Sequence, residues 1–259
     1  MSLLARIVAH KRWEVATEKR LLSEKELRDR VGLVPRARDF VAAMRRGQGP
    51  RVIAEFKRAS PTRGVLRAAA DPAKVCCEFV ENGAVAVSVV TDNRWFWGSV
   101  CDLWLARESI SIPILCWDFV VDPYQIYQAR AHGADAVRLV CTLLDDRKLI
   151  DCASLARALD MTAIIEAHDE REVERALAAD ALVIGLSNRD LQTMEVVPGT
   201  AERLRPLVPA DRITVAESGI RSAEELGQLS PLLFDACLVG EALMSADSPG
   251  AALRALLGR

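Results

Sequence analysis

The stretch from Arg51 to Gly64 reads RVIAEFKRASPTRG. Arg51 to Lys57 has the composition of a short buried strand. The two-residue period of a strand puts Ile53, Glu55 and Lys57 on one face and Val52, Ala54 and Phe56 on the other. A carboxylate and an ammonium therefore share a face, where neither is cheap to bury unless it is paired or functional. Ser60, Pro61, Thr62 and Gly64 follow as a hydroxyl-bearing turn, where the strand hands over to its next element. The pattern alone leaves two readings open, a structural ion pair at a strand end and a reactive one.

Outward from this strand the chain alternates. Apolar runs occur at Arg51 to Phe56, Ala84 to Val90, Ile112 to Cys116, Ala136 to Cys141, Thr162 to Ile165, Ala181 to Leu186, Arg212 to Ala216 and Ala236 to Val239, eight in all. Amphipathic stretches of helical length lie between them, including Pro72 to Asn82, Pro123 to His132, Asp145 to Leu159, Glu170 to Ala178 and Ala223 to Leu229. Eight strands that each lead into a helix, within 259 residues, predict an α/β fold, the (β/α)8 or TIM barrel. The segments ENGAVAVSV, AHGADAVRL and LAADALVIG repeat one strand-entry junction. No GxGxxG follows the first strand, which counts against an open doubly wound sheet. Residues 1–49 read as a helical extension, with Leu4, Ile7, Val8 and Trp13 at helical spacing and a capping box at Ser23 and Glu26. Gly47 to Pro50 should break the extension, leaving residues 50–259 for the barrel and residues 1–259 as a single domain.

Composition narrows the function. With 51% hydrophobic residues the chain can bury a large core, and a formal charge of -2 gives no electrostatic reason to expect nucleic acid. No run reaches the roughly 18 apolar residues of a membrane helix. The early charges of MSLLARIVAHKRWEVATEKR do not fit a secretory leader, so a cytoplasmic location is expected. Seven cysteines without a CxxC spacing point to reduced core thiols. The three histidines are scattered, and His168 in EAHDE does not match HExxH, so no metal is expected.

In a parallel barrel the working residues gather at the C-terminal ends of the strands. Those ends supply Glu55 and Lys57, Thr91 and Asp92, Trp117 and Asp118, Arg138, Glu166, Ser187 to Arg189, Glu217 to Gly219, and Gly240 with Glu241. Glu55, Glu166, Glu217, Lys57, Arg138 and Arg189 converging on one mouth favour a catalytic pocket over separate structural pairs. Gly219 and Gly240, after the last two strands, stand where barrels commonly hold phosphate, although each taken singly also fits a simple turn.

These residues carry a resemblance. IAEFKRASPTRG, VVTDNRWFWGS, DFVVDPYQIYQARAHGADAV, IGLSNRDL, VAESGI and LVGEALM resemble, in this order and spacing, the motifs of indole-3-glycerol-phosphate synthase. The resemblance covers essentially the whole chain. It implies a lyase of tryptophan biosynthesis without metal or cofactor, a decarboxylating enzyme that closes the ring of a carboxyphenylamino-deoxyribulose phosphate with loss of carbon dioxide and water. By the same resemblance Glu55, Lys57, Glu166, Glu217 and Ser187 occupy catalytic positions. Ser60, Phe96, Trp117, Arg138, Arg189, Ser218, Gly219 and Gly240 occupy substrate-binding ones. The implied partner is a small phosphorylated aryl-amino sugar, with no nucleic acid and no membrane, and the protein a monomer or weak homo-oligomer.

Four departures accompany the match. Trp117 stands in WDF where the family reads KDF, Arg138 where it has an apolar residue, Ser187 in GLS where it reads GIN, and Trp97 where it has a small residue. A tryptophan cannot act as a proton-donating acid, and losing a general acid typically costs about 10² to 10⁴ in rate. The sequence therefore carries three expectations in order: the family reaction with altered chemistry or substrate, a cyclisation of a related substrate in specialised metabolism that keeps the carboxylate, and a silent barrel that only binds a phosphorylated ligand.

Overall fold

The computed structural model describes residues 2–45, 51–229 and 234–259. The expected break at Gly47 to Pro50, and with it the boundary between extension and barrel, lies outside the described residues. Eight parallel strands close into a barrel in sequence order: β1 (Val52–Phe56), β2 (Ala86–Val90), β3 (Ile114–Trp117), β4 (Ala136–Val140), β5 (Thr162–Ala167), β6 (Val183–Ser187), β7 (Ile213–Glu217) and β8 (Ala236–Val239). β1 closes the ring against β8, with Ile53 opposite Leu238.

The alternation read from the sequence sorts the strand residues into two layers. Val52, Ala54 and Phe56 pack outward, with Val87, Val89, Val137, Leu139 and Ile165, against the surrounding helices. Ile53, Leu115, Ile164, Val183, Val215 and Leu238 fill the barrel interior. Because that interior is apolar at its base, the polar residues in phase with it emerge only at the C-terminal mouth.

The repeated junction has a backbone cause. Gly83 (φ 98°), Gly133 (φ 92°) and Asp180 (φ 53°) all adopt the left-handed conformation as a helix ends and the chain turns into its next strand. Glycine enters that region without strain, and aspartate tolerates it.

Three helices form the N-terminal extension: α1 (Leu3–Leu21), α2 (Glu24–Val31) and α3 (Phe40–Arg45). Ser23 and Glu26 close the expected capping box on α2. From α3, Phe40, Ala43 and Met44 plug the interior at the base of the barrel. Leu4 and Ile7 of α1 pack with Val90, Phe96, Phe119, Val140, Leu191 and Met194, so α1 lies across the opposite end, at the mouth.

Two local readings change. Trp117 is the last residue of β3 rather than the first beyond it, because its side chain continues the inward phase of Leu115. The turn after β1 is a small hairpin, with Ala59–Ser60 paired to Gly64–Val65 and Gly64 at φ 70°.

Candidate active site

The thirteen residues singled out from the sequence all line one cavity at the barrel mouth: Glu55, Lys57, Ser60, Phe96, Trp117, Arg138, Glu166, Ser187, Arg189, Glu217, Ser218, Gly219 and Gly240. Period-two alternation delivers most of them, since Glu55 follows Ile53, Glu166 follows Ile164, Glu217 follows Val215 and Gly240 follows Leu238 on the inward face. The charged groups divide into two sets.

The first set stands on β1. Lys57 Nζ lies 2.8 Å from Glu55 Oε1, and Ser88 Oγ donates to Glu55 Oε2 at 3.3 Å. Gly240 makes room for this carboxylate, because a Cβ there would stand 2.5 Å from Glu55 Oε1. A glycine expected for a phosphate turn is thus also a packing requirement of Glu55.

The second set spans β4, β5 and β7. Arg138 is buried and its Nε pairs with Glu166 Oε2, while His168 Nε2 meets Glu166 Oε1 at 2.9 Å. Burial alone would raise the Glu166 pKa, but Arg138 and His168 outweigh it and hold the carboxylate well below its usual range. Glu217 has the opposite fate. Burial, reinforced by the negative charge of Glu166, pushes it well above the ordinary value and favours its protonated form. Gly185 of β6 leaves the space that Glu217 Oε1 occupies. The proton affinities of two glutamates in one cavity are thereby pushed apart, as expected of a site that moves protons.

The cavity has an aromatic wall. The Arg138 guanidinium carbon lies 4.0 Å from the Trp117 ring centroid, and Trp117 contacts Phe96 at 4.9 Å and Phe119 at 5.3 Å. Trp97 adopts φ 57° and is 49% exposed, outside the residues lining the cavity, so that departure does not reshape the pocket. Across from the wall, Ser218 (φ 67°) and Gly219 (φ 92°) turn the backbone after β7. Arg189 braces this side by donating from Nη1 to the Met194 carbonyl at 2.6 Å, and its backbone N–H donates to Ser187 Oγ at 3.2 Å.

Some strand-end charges do not belong to the cavity. Asp92 and Asp118 are taken up by Lys11 of α1, whose buried Nζ lies 3.1 and 2.9 Å from them. Thr91 Oγ1 donates to Asp118 at 2.7 Å. This cluster ties the extension to the ends of β2 and β3. Sequence reasoning missed His168, having tested it only as a metal ligand; the available signal was its position two residues beyond Glu166, in the inward phase of β5. Among the described residues no three His, Cys, Asp or Glu side chains are grouped to hold a metal ion, and all seven cysteines are free.

A closed parallel barrel with a lysine and three glutamates gathered at its C-terminal mouth, two of the carboxyls shifted in opposite directions, defines an acid/base barrel enzyme. The family model for indole-3-glycerol phosphate synthase matches residues 4–256. The chain belongs to the indole-3-glycerol phosphate synthase family, and so to the carboxy-lyases. It is 41% identical to the indole-3-glycerol phosphate synthase of Streptomyces griseus over 257 residues, covering 99% of this chain and 95% of that one. To its counterpart from Polaromonas naphthalenivorans it is 46% identical over 224 residues, 85% of each chain. Among solved structures it resembles 3-hexulose-6-phosphate synthase from Salmonella typhimurium, with a TM-score of 0.64 and 13% identity, over 80% of this chain and 97% of that one. That likeness concerns the fold alone.

Proposed function

We propose that this chain closes the ring of a carboxyphenylamino-deoxyribulose phosphate, with loss of carbon dioxide and water, to give indole-3-glycerol phosphate. The observation that carries the reading is that Glu217, its pKa raised, and Glu166, its pKa lowered, stand beside Lys57 in one cavity.

The departure at Trp117 then has a specific meaning. By resemblance the family places a lysine there and an apolar residue at 138. Arg138 restores a cation one strand over, but a guanidinium remains protonated and cannot act as an acid. The proton for the ketone oxygen therefore comes from Glu217, with the Lys57 ammonium stabilising the developing negative charge. Once ionised, Glu217 takes the ring C–H proton during dehydration and returns to its starting state. Glu166 serves the leaving hydroxyl. Ser60, Ser218, Gly219, Gly240 and Arg189 hold the phosphate, and Phe96 with Trp117 flanks the aromatic ring. The test is turnover of this substrate, followed by indole fluorescence.

One observation favours a second reading. Arg138 Nη1 is buried without a hydrogen-bond partner. A guanidinium with a spare donor suits a carboxylate, and a substrate carboxylate clamped there would be stabilised in the charged form that decarboxylation destroys. A product that retains the carboxyl mass would mark this cyclisation of a related substrate.

A further inference from the structure

His168 connects two cavities. Its Nε2 meets Glu166 Oε1 at 2.9 Å and its Nδ1 meets Glu172 Oε2 at 2.8 Å. Glu172, in the first turn of the helix Glu170–Ala178, is itself fixed by Thr142 Oγ1 at 2.6 Å and by the His168 backbone N–H at 2.9 Å. On its far side the ring lines a second cavity with Thr142, Asp169, Glu172, Asn188 and Arg203. An imidazole gripped at both nitrogens by carboxylates is an imidazolium with a defined orientation, and it lines the second cavity directly while reaching the active site through Glu166.

We propose that His168 is the proton store for Glu166, acting through that carboxylate rather than on substrate. The inference rests on the reaction proposed above, whose proton count requires such a store. Ring closure places one proton on the ketone oxygen, dehydration places another on the leaving hydroxyl, and one ring C–H proton is returned. Each turnover therefore takes up one proton from solvent. Glu217 accounts for the proton given and recovered. The other crosses Glu166 only transiently, because Arg138 and His168 hold that carboxylate well below its usual range: the His168 Nε2–H bond breaks and Glu166 Oε1–H forms as the substrate C–O bond weakens. Glu166 passes that proton to the hydroxyl, whose C–O bond breaks to release water. The neutral ring keeps Nδ1–H on Glu172 and takes a new proton at Nε2 from solvent before the next turnover.

The surroundings support a cationic ring. Burial opposes it, but Glu166 and Glu172 raise the His168 pKa to about 9. The other charged or titratable groups around it are Arg138 across Glu166, Glu217 with its raised pKa, the Cys141 thiol against the Glu172 backbone, and Asp169, Arg189, Asp190 and Arg203 around the second cavity.

The experiment compares the pH profiles of kcat for the natural protein, His168→Gln and His168→Ala, using the carboxyphenylamino-deoxyribulose phosphate. The glutamine amide can still hydrogen-bond to a glutamate but does not titrate. The expected result is an alkaline limb near pH 9 in the natural protein, in keeping with the His168 pKa, that is missing in His168→Gln. With it goes a kcat lower by about 10²-fold at unchanged KM, the cost of a lost general acid. Added imidazole should restore His168→Ala in proportion to its protonated fraction. A His168→Gln enzyme that keeps the limb and most of its kcat would overturn the proposal while leaving the reaction intact. No turnover by the natural protein would overturn the reaction and this proposal together.

Discussion

The Arg138 guanidinium stacks on the Trp117 indole at 4.0 Å, and the two are cross-strand neighbours, one residue beyond the Cys116 and Val137 pair in the β3–β4 register. Two departures from the family pattern that stand 21 positions apart in sequence are therefore one rearrangement in space. The cation expected on β3 has moved to β4, and the indole that replaced it forms the face on which the guanidinium rests.

If the two positions act as one unit, their substitutions should not add. Arg138→Leu alone leaves Glu166 ionised and short of its main partner, and breaking a buried pair in this way costs about 3–5 kcal/mol. Combining Trp117→Lys with Arg138→Leu restores an ammonium within reach, so the double variant should recover much of that loss in urea unfolding. Equal losses in the single and double variants would show the positions to be independent.

Glu217 yields a prediction with opposite signs for stability and activity. Its folded pKa is raised, so the stability linked to its protonation is present below the unfolded value near 4.5 and is lost as pH rises toward the folded pKa. Glu217→Gln removes that loss. The Tm advantage of the variant should grow from acid to neutral pH, while turnover falls by about 10²-fold or more as the acid disappears. Glu166 runs the other way. Its depressed pKa contributes stability above the unfolded value that is lost as pH falls, so Glu166→Gln should be most destabilising at neutral pH.

The β1 pair is tested at two positions. Lys57→Met should abolish product and leave the circular dichroism unchanged, since Lys57 stands at the rim of the cavity rather than in the core. Gly240→Ala would bring a methyl group to 2.5 Å from Glu55 Oε1 and 2.9 Å from Glu55 Cβ. Displacing Glu55 releases its hold on Lys57, so kcat should fall even though residue 240 carries no reactive group. A Gly240→Ala enzyme altered only in KM would assign that glycine to phosphate binding alone.

Arg189 separates phosphate binding from chemistry. Arg189→Ala should raise KM by about 10- to 100-fold, the scale of one charged hydrogen bond, with a smaller change in kcat. Because Arg189 also braces the Met194 carbonyl at 2.6 Å, Arg189→Lys is the companion variant. It keeps the charge without the planar fork, and an intermediate KM is expected.

The barrel was legible because its signals are local. Period-two alternation placed Glu55 and Lys57 inward, and the β-branched runs marked every strand to within two residues at each end. The cavity membership of all thirteen candidates followed from strand ends and motif order. What the sequence hid was pairing. Nothing in EAHDE says that His168 turns toward Glu166 rather than solvent, and nothing in AHKRW says that Lys11 is carried across the mouth to Asp92 and Asp118. Those contacts depend on how helices and loops fold back over the barrel, which no short-range pattern encodes. Gly185 and Gly240 were equally opaque, because the carboxylates they accommodate lie on other strands.

The central claim is the reaction itself. Supplied with carboxyphenylamino-deoxyribulose phosphate, the natural protein should release one carbon dioxide per molecule consumed and yield a product with the mass and fluorescence of indole-3-glycerol phosphate. A product that keeps the carboxyl mass, or no turnover until Trp117→Lys, Arg138→Leu and Ser187→Asn are introduced together, would contradict it.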